Sequence, residues 1–215
     1  MREFRAVLLA SASPRRRELL MSLGLRVLVM PTGVAENDHP ELSPSQLAAF
    51  HAAAKAEAIA SRIGRNVMVA ADTVVDVDGR ALGKPSGPRE ASEMLRTLRG
   101  REHLVHTAFV VVDGTGGGRL ACTSTTRVRF ADLSSDDIDA YVASGEPLDK
   151  AGGYGIQGRG ALLVDSIDGD FYTVMGFPLG MFVRSLPKLG LRLAHDAHAV
   201  AAERVVAEPV ARASQ

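Results

Sequence analysis

Apolar runs that end in turn-forming residues alternate with helix-like segments along the first half of the chain. Val7-Leu8-Leu9 is typical of a buried strand. The Ser11-Ala12-Ser13-Pro14 turn after it predicts the start of a helix, because serine caps helices and proline suits their first position. The predicted elements of this half are a strand at 7–9, a helix from Pro14 to Gly24, a strand from Arg26 to Met30, a helix from Ser43 to about Gly64 and a strand from Val67 to Val77.

Strand-like segments cluster in the second half. Asp78-Gly79 predicts a hairpin turn that returns the chain to Lys84. The further predicted elements are a helix at 90–98, strands at 104–112 and 120–130, a helix capped by Ser134, a glycine-dense loop at 145–160, short strands at 162–167 and 171–175, and a closing helix at 178–186. Alternation followed by strand clustering predicts an α/β fold with a mixed, twisted sheet flanked by helices.

The chain is long enough for one generous core. Its length predicts burial of about 70 % of the surface that the unfolded chain exposes. With 46 % hydrophobic and 23 % charged residues, the composition is typical of globular proteins and excludes a wholly disordered chain. No linker-like segment divides residues 1–190, which predicts a single domain there. The alanine- and valine-rich tail at 191–215 is predicted to be partly helical or frayed.

Charge and cysteine content narrow the class of ligand. Lys plus Arg and Asp plus Glu each total 25, so no net field attracts nucleic acid or an anionic membrane. No apolar run approaches the roughly 20 residues of a membrane helix, and the stretch Ala6 to Ala10 is too short for an export signal. The single cysteine, Cys122, excludes an internal disulfide. We therefore expect a cytoplasmic protein that binds a small anion, with no nucleic-acid or membrane partner.

Three consecutive arginines stand at the start of the first predicted helix. A helix N-terminus already carries about half a positive charge, so Arg15, Arg16 and Arg17 predict an anion at that point. The hydroxyls of Ser11 and Ser13 and the free backbone N–H groups converge there too, which favours a phosphate site. A solvated basic face is the alternative interpretation of such a charge run.

Asp72 interrupts the apolar run Val67 to Val75, where an ionised carboxylate is costly to bury without a partner. A structural aspartate at a strand end is one interpretation, but this position is also the rim where α/β sheets bind ligands. Lys84, which follows the hairpin, is predicted to be its cationic partner. Lys55 is the one cation between Ala52 and Ala56, and it either projects toward the same cleft or is an ordinary surface lysine.

The glycine-dense loop contains Gly153-Tyr154-Gly155-Ile156-Gln157-Gly158, which matches the dinucleotide-binding pattern by letter. That pattern needs a strand before it and a helix after it, and the flanking residues predict neither. Gln157 presents a donor and an acceptor side by side, the complement of a uracil or thymine edge. The histidines show no spacing of a metal or nucleophile site. The chemistry therefore rests on carboxylates, cations and a hard divalent ion, for which Glu36 and Asp72 are the candidate ligands.

Four separated blocks stand in order along the chain: LASASPRR at 9–16, ADT at 71–73, GKP at 83–85 and DKAGGYGIQG at 149–158. Together they resemble the Maf family of nucleoside triphosphate pyrophosphatases, over about residues 6 to 190. The resemblance implies hydrolysis of the α-β phosphoanhydride with a divalent metal, Mg²⁺ or Mn²⁺. It also implies an elongated, two-lobed α/β architecture with a central cleft, related to the inosine triphosphate pyrophosphatases, and a homodimer.

The resemblance also implies roles for single positions. Asp72 matches the proton acceptor of the family, and Arg15, Thr73 and Gln157 match its substrate-discriminating positions. This combination resembles the branch that acts on dTTP and UTP, with CTP or modified pyrimidine nucleotides as further candidates. The expected triphosphate-binding residues are Ser11, Ser13, Arg15, Arg16, Lys55 and Lys84, and the expected metal ligands are Glu36 and Asp72.

Two positions depart from the family pattern, and two other functions remain as alternatives. Ala35 stands where the family usually has Asp, and Thr173 stands where Asn is common. A nucleotide-binding regulator linked to cell division and septum formation would use the same cleft without cleavage. An anion-binding domain could instead hold a phosphosugar with Arg15 and Arg16. Turnover of a triphosphate in the presence of metal distinguishes the enzyme from both.

Overall fold

The computed structural model describes residues 1–37 and 39–194. The α-helices in these residues are α1 (Pro14–Ser22), α2 (Pro44–Ile59), α3 (Pro88–Leu98), α4 (Ser135–Ala143), α5 (Phe171–Met175) and α6 (Leu179–Ser185). The strands are β1 (Arg2–Phe4), β2 (Ala6–Leu9), β3 (Arg26–Val29), β4 (Val67–Val77), β5 (Arg80–Leu82), β6 (Glu102–Asp113), β7 (Arg119–Phe130), β8 (Val164–Asp168) and β9 (Leu191–Leu193). None of the helices in the described ranges is long and apolar enough to cross a membrane.

The main sheet has the strand order β3-β2-β4-β6-β7-β8, and β5 pairs with β4. β2 runs parallel to both β3 and β4, while every pairing from β4 to β8 is antiparallel. Parallel neighbours need a crossover, which α1 and α2 supply, and antiparallel neighbours need only turns. The predicted mixed α/β sheet flanked by helices is confirmed.

Helices cover the sheet because its strands carry apolar residues on both faces. Leu47 and Ala52 of α2 pack with Met68 of β4 on one face. Leu20 of α1 and Phe182 of α6 belong to the cluster on the opposite face. A third cluster, at the other end of the long strands, contains residues of α3, α4 and the loop that follows α4. The cleft described below lies where elements of these clusters meet.

The segment Phe171–Met175 forms α5, so the prediction of a strand there is wrong. Its aromatic and β-branched residues suggested a strand. However, the Asp170 side chain accepts the backbone N–H of Thr173, which caps a helix, and Gly176 at a φ of 108° ends it. The cap and the stop outweigh the weak propensity of a five-residue segment.

The two ends of the described chain meet in a strand pair that the sequence pattern did not predict. β1 and β9 run parallel, with Arg2 opposite Leu191 and Phe4 opposite Leu193. Residues 191–193 are therefore part of the folded structure rather than of a frayed tail. The rest of the predicted tail, from 195 to 215, lies outside the described residues.

Candidate active site

One cleft collects every site residue predicted from the sequence. In the described part of the chain it is a cavity of about 890 Å³. The predicted residues that line it are Ser11, Ser13, Arg15, Arg16, Glu36, Lys55, Asp72, Thr73, Lys84 and Gln157. The structure thus brings together segments that are far apart in the sequence: the turn before α1, the segment after β3, α2, β4 and the loops after β5 and α4.

Asp72 lies in the middle of β4 with only 4 % of its surface exposed. The Nζ of Lys55 donates to its Oδ1 over 2.6 Å, and the Nδ1 of His51 lies 3.3 Å from its Oδ2. Burial alone would raise the pKa of this carboxyl, but the hydrogen bond from His51 and the charges of Lys55 and Arg16 hold that pKa below its ordinary value. The Asp72 carboxylate is therefore ionised at neutral pH.

Lys55 links two carboxylates that belong to different segments. Its Nζ also donates to Glu36 Oε1 over 2.6 Å, while the Nζ of Lys84 donates to Glu36 Oε2 over 3.1 Å. The prediction that Lys84 is the partner of Asp72 is therefore wrong. α2 packs on β4 and buries Lys55, whereas Lys84 keeps 54 % of its side chain exposed. The tertiary packing of a helix, rather than the nearby hairpin, supplies the cation.

Arg15 and Arg16 are neighbours in sequence but have different surroundings. Arg16 is buried and donates to Gly176 O over 2.9 Å, to Ser11 Oγ over 3.2 Å and to Thr73 Oγ1 over 3.0 Å. Burial lowers the pKa of its guanidinium. Three of the five N–H donors of Arg16 therefore form hydrogen bonds that connect the walls of the cleft. Arg15 is more exposed and pairs with Asp149 across 3.1 Å.

Ser13 caps the first helix, as the sequence predicted. The Ser13 side chain caps α1 by accepting the backbone N–H of Arg16. The Oγ of Ser11 accepts the backbone N–H of Ser13 over 3.2 Å, as well as the Arg16 guanidinium. The N-terminus of α1 consequently opens onto the cleft, with Arg15 in its first turn.

Close packing explains one glycine of the glycine-dense loop. Gly152 has a φ of 67°, and a Cβ there would lie 2.9 Å from Val75 Cγ2. Tyr154 anchors the loop, because its hydroxyl lies 2.6 Å from Nε2 of His103. Gln157 stays exposed on the wall of the cleft, and short 3₁₀ segments rather than a strand and a helix flank it. The loop is therefore not a dinucleotide-binding turn.

His51 is a cleft residue that the sequence reasoning missed. It lies on α2, one helical turn before Lys55, and 4 % of its surface is exposed. Its hydrogen bond to Asp72 raises the pKa of the imidazole, although burial opposes this. A signal was present: His51 and Lys55 are four residues apart and share the helix face of Ala48 and Ala52, which predicts that both side chains point toward the sheet.

The carboxylates of Glu36 and Asp72 fit a hard divalent cation. Both lie within hydrogen-bond reach of one ammonium nitrogen, so they already converge on one positive charge. The pKa of Glu36 is held below its ordinary value because its bonds to Lys55 and Lys84 outweigh its burial. No group of three or more potential ligands occurs among residues 1–37 and 39–194. Two carboxylates suit Mg²⁺ that is shared with substrate phosphates.

Comparison with known proteins places this cleft in a family. Residues 6–189 match the family model described as Maf-like protein. The chain belongs to the Maf-like protein family. A dTTP/UTP pyrophosphatase of Moorella thermoacetica is 49 % identical over 173 residues, which are 80 % of this chain and 89 % of the relative. A dTTP/UTP pyrophosphatase of Methanosarcina mazei is 41 % identical over 188 residues, or 87 % of this Maf-like chain and 95 % of the relative.

A more distant likeness comes from the solved structures. A HAM1 protein from Coxiella burnetii superposes with a TM-score of 0.45 and 17 % identity, over 86 % of this chain and 100 % of that one. A likeness at that level adds nothing to the assignment of this Maf-like chain, which rests on the family match and the close relatives.

Proposed function

We propose that this chain hydrolyses the α-β phosphoanhydride of dTTP and UTP, giving the monophosphate and pyrophosphate. The observation that carries the proposal is that one cleft is lined by a buried, ionised Asp72, by cations and by Gln157. The family membership and the relatives that bear the name dTTP/UTP pyrophosphatase support the same reaction.

The cations that line the cleft support the binding of a triphosphate. A nucleoside triphosphate carries about four negative charges, and charge develops on the leaving pyrophosphate during cleavage. Arg15, Lys55 and Lys84 line the cavity, and each forms an ion pair with a carboxylate there. Fixed positive charge stabilises the transition state more than water does, because it needs no reorganisation.

Asp72 accepts the proton of the attacking water in this proposal. The water oxygen bonds to the α-phosphorus, its proton passes to the Asp72 carboxylate, and the bridging P–O bond breaks with its electron pair leaving on pyrophosphate. The Nζ of Lys55 donates to Oδ1 of the same carboxylate over 2.6 Å, which places a positive charge beside the base.

A divalent cation, Mg²⁺ or Mn²⁺, is part of the proposal. Glu36 and Asp72 would hold it together with phosphate oxygens of the substrate. When bound, such an ion neutralises phosphate charge and lowers the pKa of a coordinated water. Lys55 would then share its two carboxylates with the ion and direct its remaining donor to the triphosphate.

The base end of the cleft supports a pyrimidine. Gln157 is exposed there and offers an amide that can pair with the O4 and N3–H edge of uracil or thymine. Val75, Met94 and Ile156 provide an apolar wall for the ring. Thr73 is held by Arg16 and by the Thr107 hydroxyl at 2.9 Å, so its effect on specificity comes through its fixed position.

Pyrophosphate release from dTTP, UTP, CTP, GTP and ATP, each with and without Mg²⁺, tests the proposal. We expect turnover of dTTP and UTP that requires the metal. Tight binding of dTTP without turnover would instead support the nucleotide-binding regulator. A thermal shift with sugar phosphates but not with triphosphates would support the phosphosugar domain. The homodimer and the cytoplasmic location stay predictions, and light scattering of the purified chain tests the first.

A further inference from the structure

His51 occupies a central place in the cleft that the reaction described above does not explain. Each of its two ring nitrogens lies within hydrogen-bond distance of an acceptor on another segment. Nδ1 lies 3.3 Å from Oδ2 of Asp72 on β4, and Nε2 lies 2.9 Å from the backbone carbonyl of Asn37. The ring therefore joins β4 to the segment between β3 and α2.

The carbonyl contact matters because Asn37 directly follows Glu36. One face of α2 thus makes two parallel bridges between the same pair of segments. Lys55 connects the side chains of Glu36 and Asp72, and His51 connects the Asn37 main chain to Asp72. The two donors are one helical turn apart on a helix that a capping box at Ser43 stabilises, so their spacing is fixed.

The two bridges constrain Asp72 in different ways. The terminal torsion of an aspartate side chain is broad, so a single hydrogen bond leaves the carboxylate free to rotate. Lys55 holds Oδ1 and His51 holds Oδ2, and two donors on different oxygens fix the plane of the group. The rings of His39 and Phe50 pack near His51, with centroids 6.5 and 6.0 Å away, and limit the movement of the imidazole.

We propose that His51 is a positioning residue for triphosphate hydrolysis, which orients the Asp72 carboxylate and ties the Glu36 segment to it. This inference rests on the proposed function, because it assigns His51 to that reaction. It predicts an effect on the rate of the chemical step rather than on substrate capture, since His51 acts on the base and Arg15 and Lys84 face the nucleotide.

The test compares two buried histidines that each pair with an aspartate. His51→Leu removes both hydrogen bonds and replaces the imidazole by an apolar side chain of similar size. We expect kcat to fall by about 10- to 100-fold, the range typical of groups that orient a catalytic or metal-binding residue, with KM changed by less than about twofold. His51→Gln keeps one donor and should recover part of the loss.

The matched control is His106→Leu. His106 is buried and lies 3.2 Å from Asp76 Oδ2, outside the lining of the described cleft. Its loss should lower the melting temperature without changing kcat. The decisive step repeats His51→Leu in an Asp72→Asn background by single-turnover assay. A residue that acts through Asp72 has nothing left to position there, so the second substitution should cause no further loss.

The outcomes distinguish a failure of the proposed function from a failure of the positioning role alone. If wild-type protein releases no pyrophosphate from any triphosphate, the proposed function and this inference both fail. If the wild type is active and His51→Leu retains its kcat, or its loss adds fully to that of Asp72→Asn, only the positioning role is overturned. If His51→Leu melts much earlier than His106→Leu, His51→Gln is judged by the same double-substitution comparison.

Discussion

Asp72 and Asp76 lie four residues apart on the same face of β4, and each is paired with a buried histidine. The distances are nearly equal: 3.3 Å from Asp72 Oδ2 to His51 Nδ1, and 3.2 Å from Asp76 Oδ2 to His106 Nε2. The two pairs nevertheless belong to different parts of the molecule. Only the first lines the described cleft.

The second oxygen of each carboxylate explains the difference. Lys55 holds Oδ1 of Asp72 and places the group next to a second acid, Glu36. Oδ1 of Asp76 instead accepts the backbone N–H of Gly79 over 2.8 Å, in the turn between β4 and β5. A buried histidine next to an aspartate of β4 is therefore not enough to identify the cleft. The neighbouring elements decide whether the pair lines the cleft or supports a turn.

Replacing each aspartate by asparagine tests whether the two pairs have different roles. Asp72→Asn removes the proton acceptor, and we expect kcat for dTTP to fall by about 100- to 10,000-fold, the scale of general-base catalysis. Asp76→Asn should leave kcat within about twofold, because that carboxylate contacts no substrate in the proposal. Pyrophosphate release measures both. Equal losses in the two variants would mean that the assignment of Asp72 as the base is wrong.

A third buried histidine makes the stability of the fold depend on pH. His103 is on β6 like His106, but its Nε2 contacts Tyr154, its Nδ1 has no hydrogen-bond partner in the described structure, and burial lowers its pKa to about 4. Between pH 4 and 6.5 the imidazole of His103 is therefore protonated in the unfolded state but neutral in the folded state. The contribution of His103 to the free energy of unfolding is fully present above pH 6.5, and it falls by about 3 kcal/mol as the pH drops toward 4.

Urea unfolding at intervals between pH 7 and pH 4.5 measures this contribution of His103 to the free energy of unfolding. His103→Phe fills the same aromatic cluster without a titrating group. The wild type should lose more stability over this range than the variant does. Parallel curves for the two proteins would show that the buried imidazole takes no part in the acid sensitivity.

The smallest expected effect concerns the base end of the cleft. Gln157→Glu replaces an amide donor by a carboxylate, so the preference for dTTP and UTP over other bases should change by about tenfold, the value of a hydrogen bond that involves a charge. Folding should be unaffected because Gln157 is exposed. Arg159→Ala, at an exposed neighbouring position outside the cleft lining, is the control. An unchanged base profile in Gln157→Glu would remove Gln157 from base recognition.

Local patterns predicted much of the fold and most of the cleft. Asp72 was visible because an acid interrupts an apolar strand, and Ser13 because a serine precedes Pro14 at a helix start. His51 was overlooked despite its spacing from Lys55, and Lys84 was wrongly paired with Asp72, because the strand pattern alone does not show that one face of α2 supplies the partners of Asp72. The strand pair β1–β9 joins segments almost 190 residues apart, and such pairing leaves no local signal.

We propose that this cleft cleaves the α-β bond of a pyrimidine nucleoside triphosphate with Asp72 as the proton acceptor. Phosphorus NMR of dTTP incubated with the wild-type protein and Mg²⁺, beside Asp72→Asn under the same conditions, tests it most directly. We predict dTMP and pyrophosphate in equal amounts from the wild type, and intact dTTP with the variant over the same time. Formation of dTDP and orthophosphate, or equal conversion by both proteins, would contradict the account.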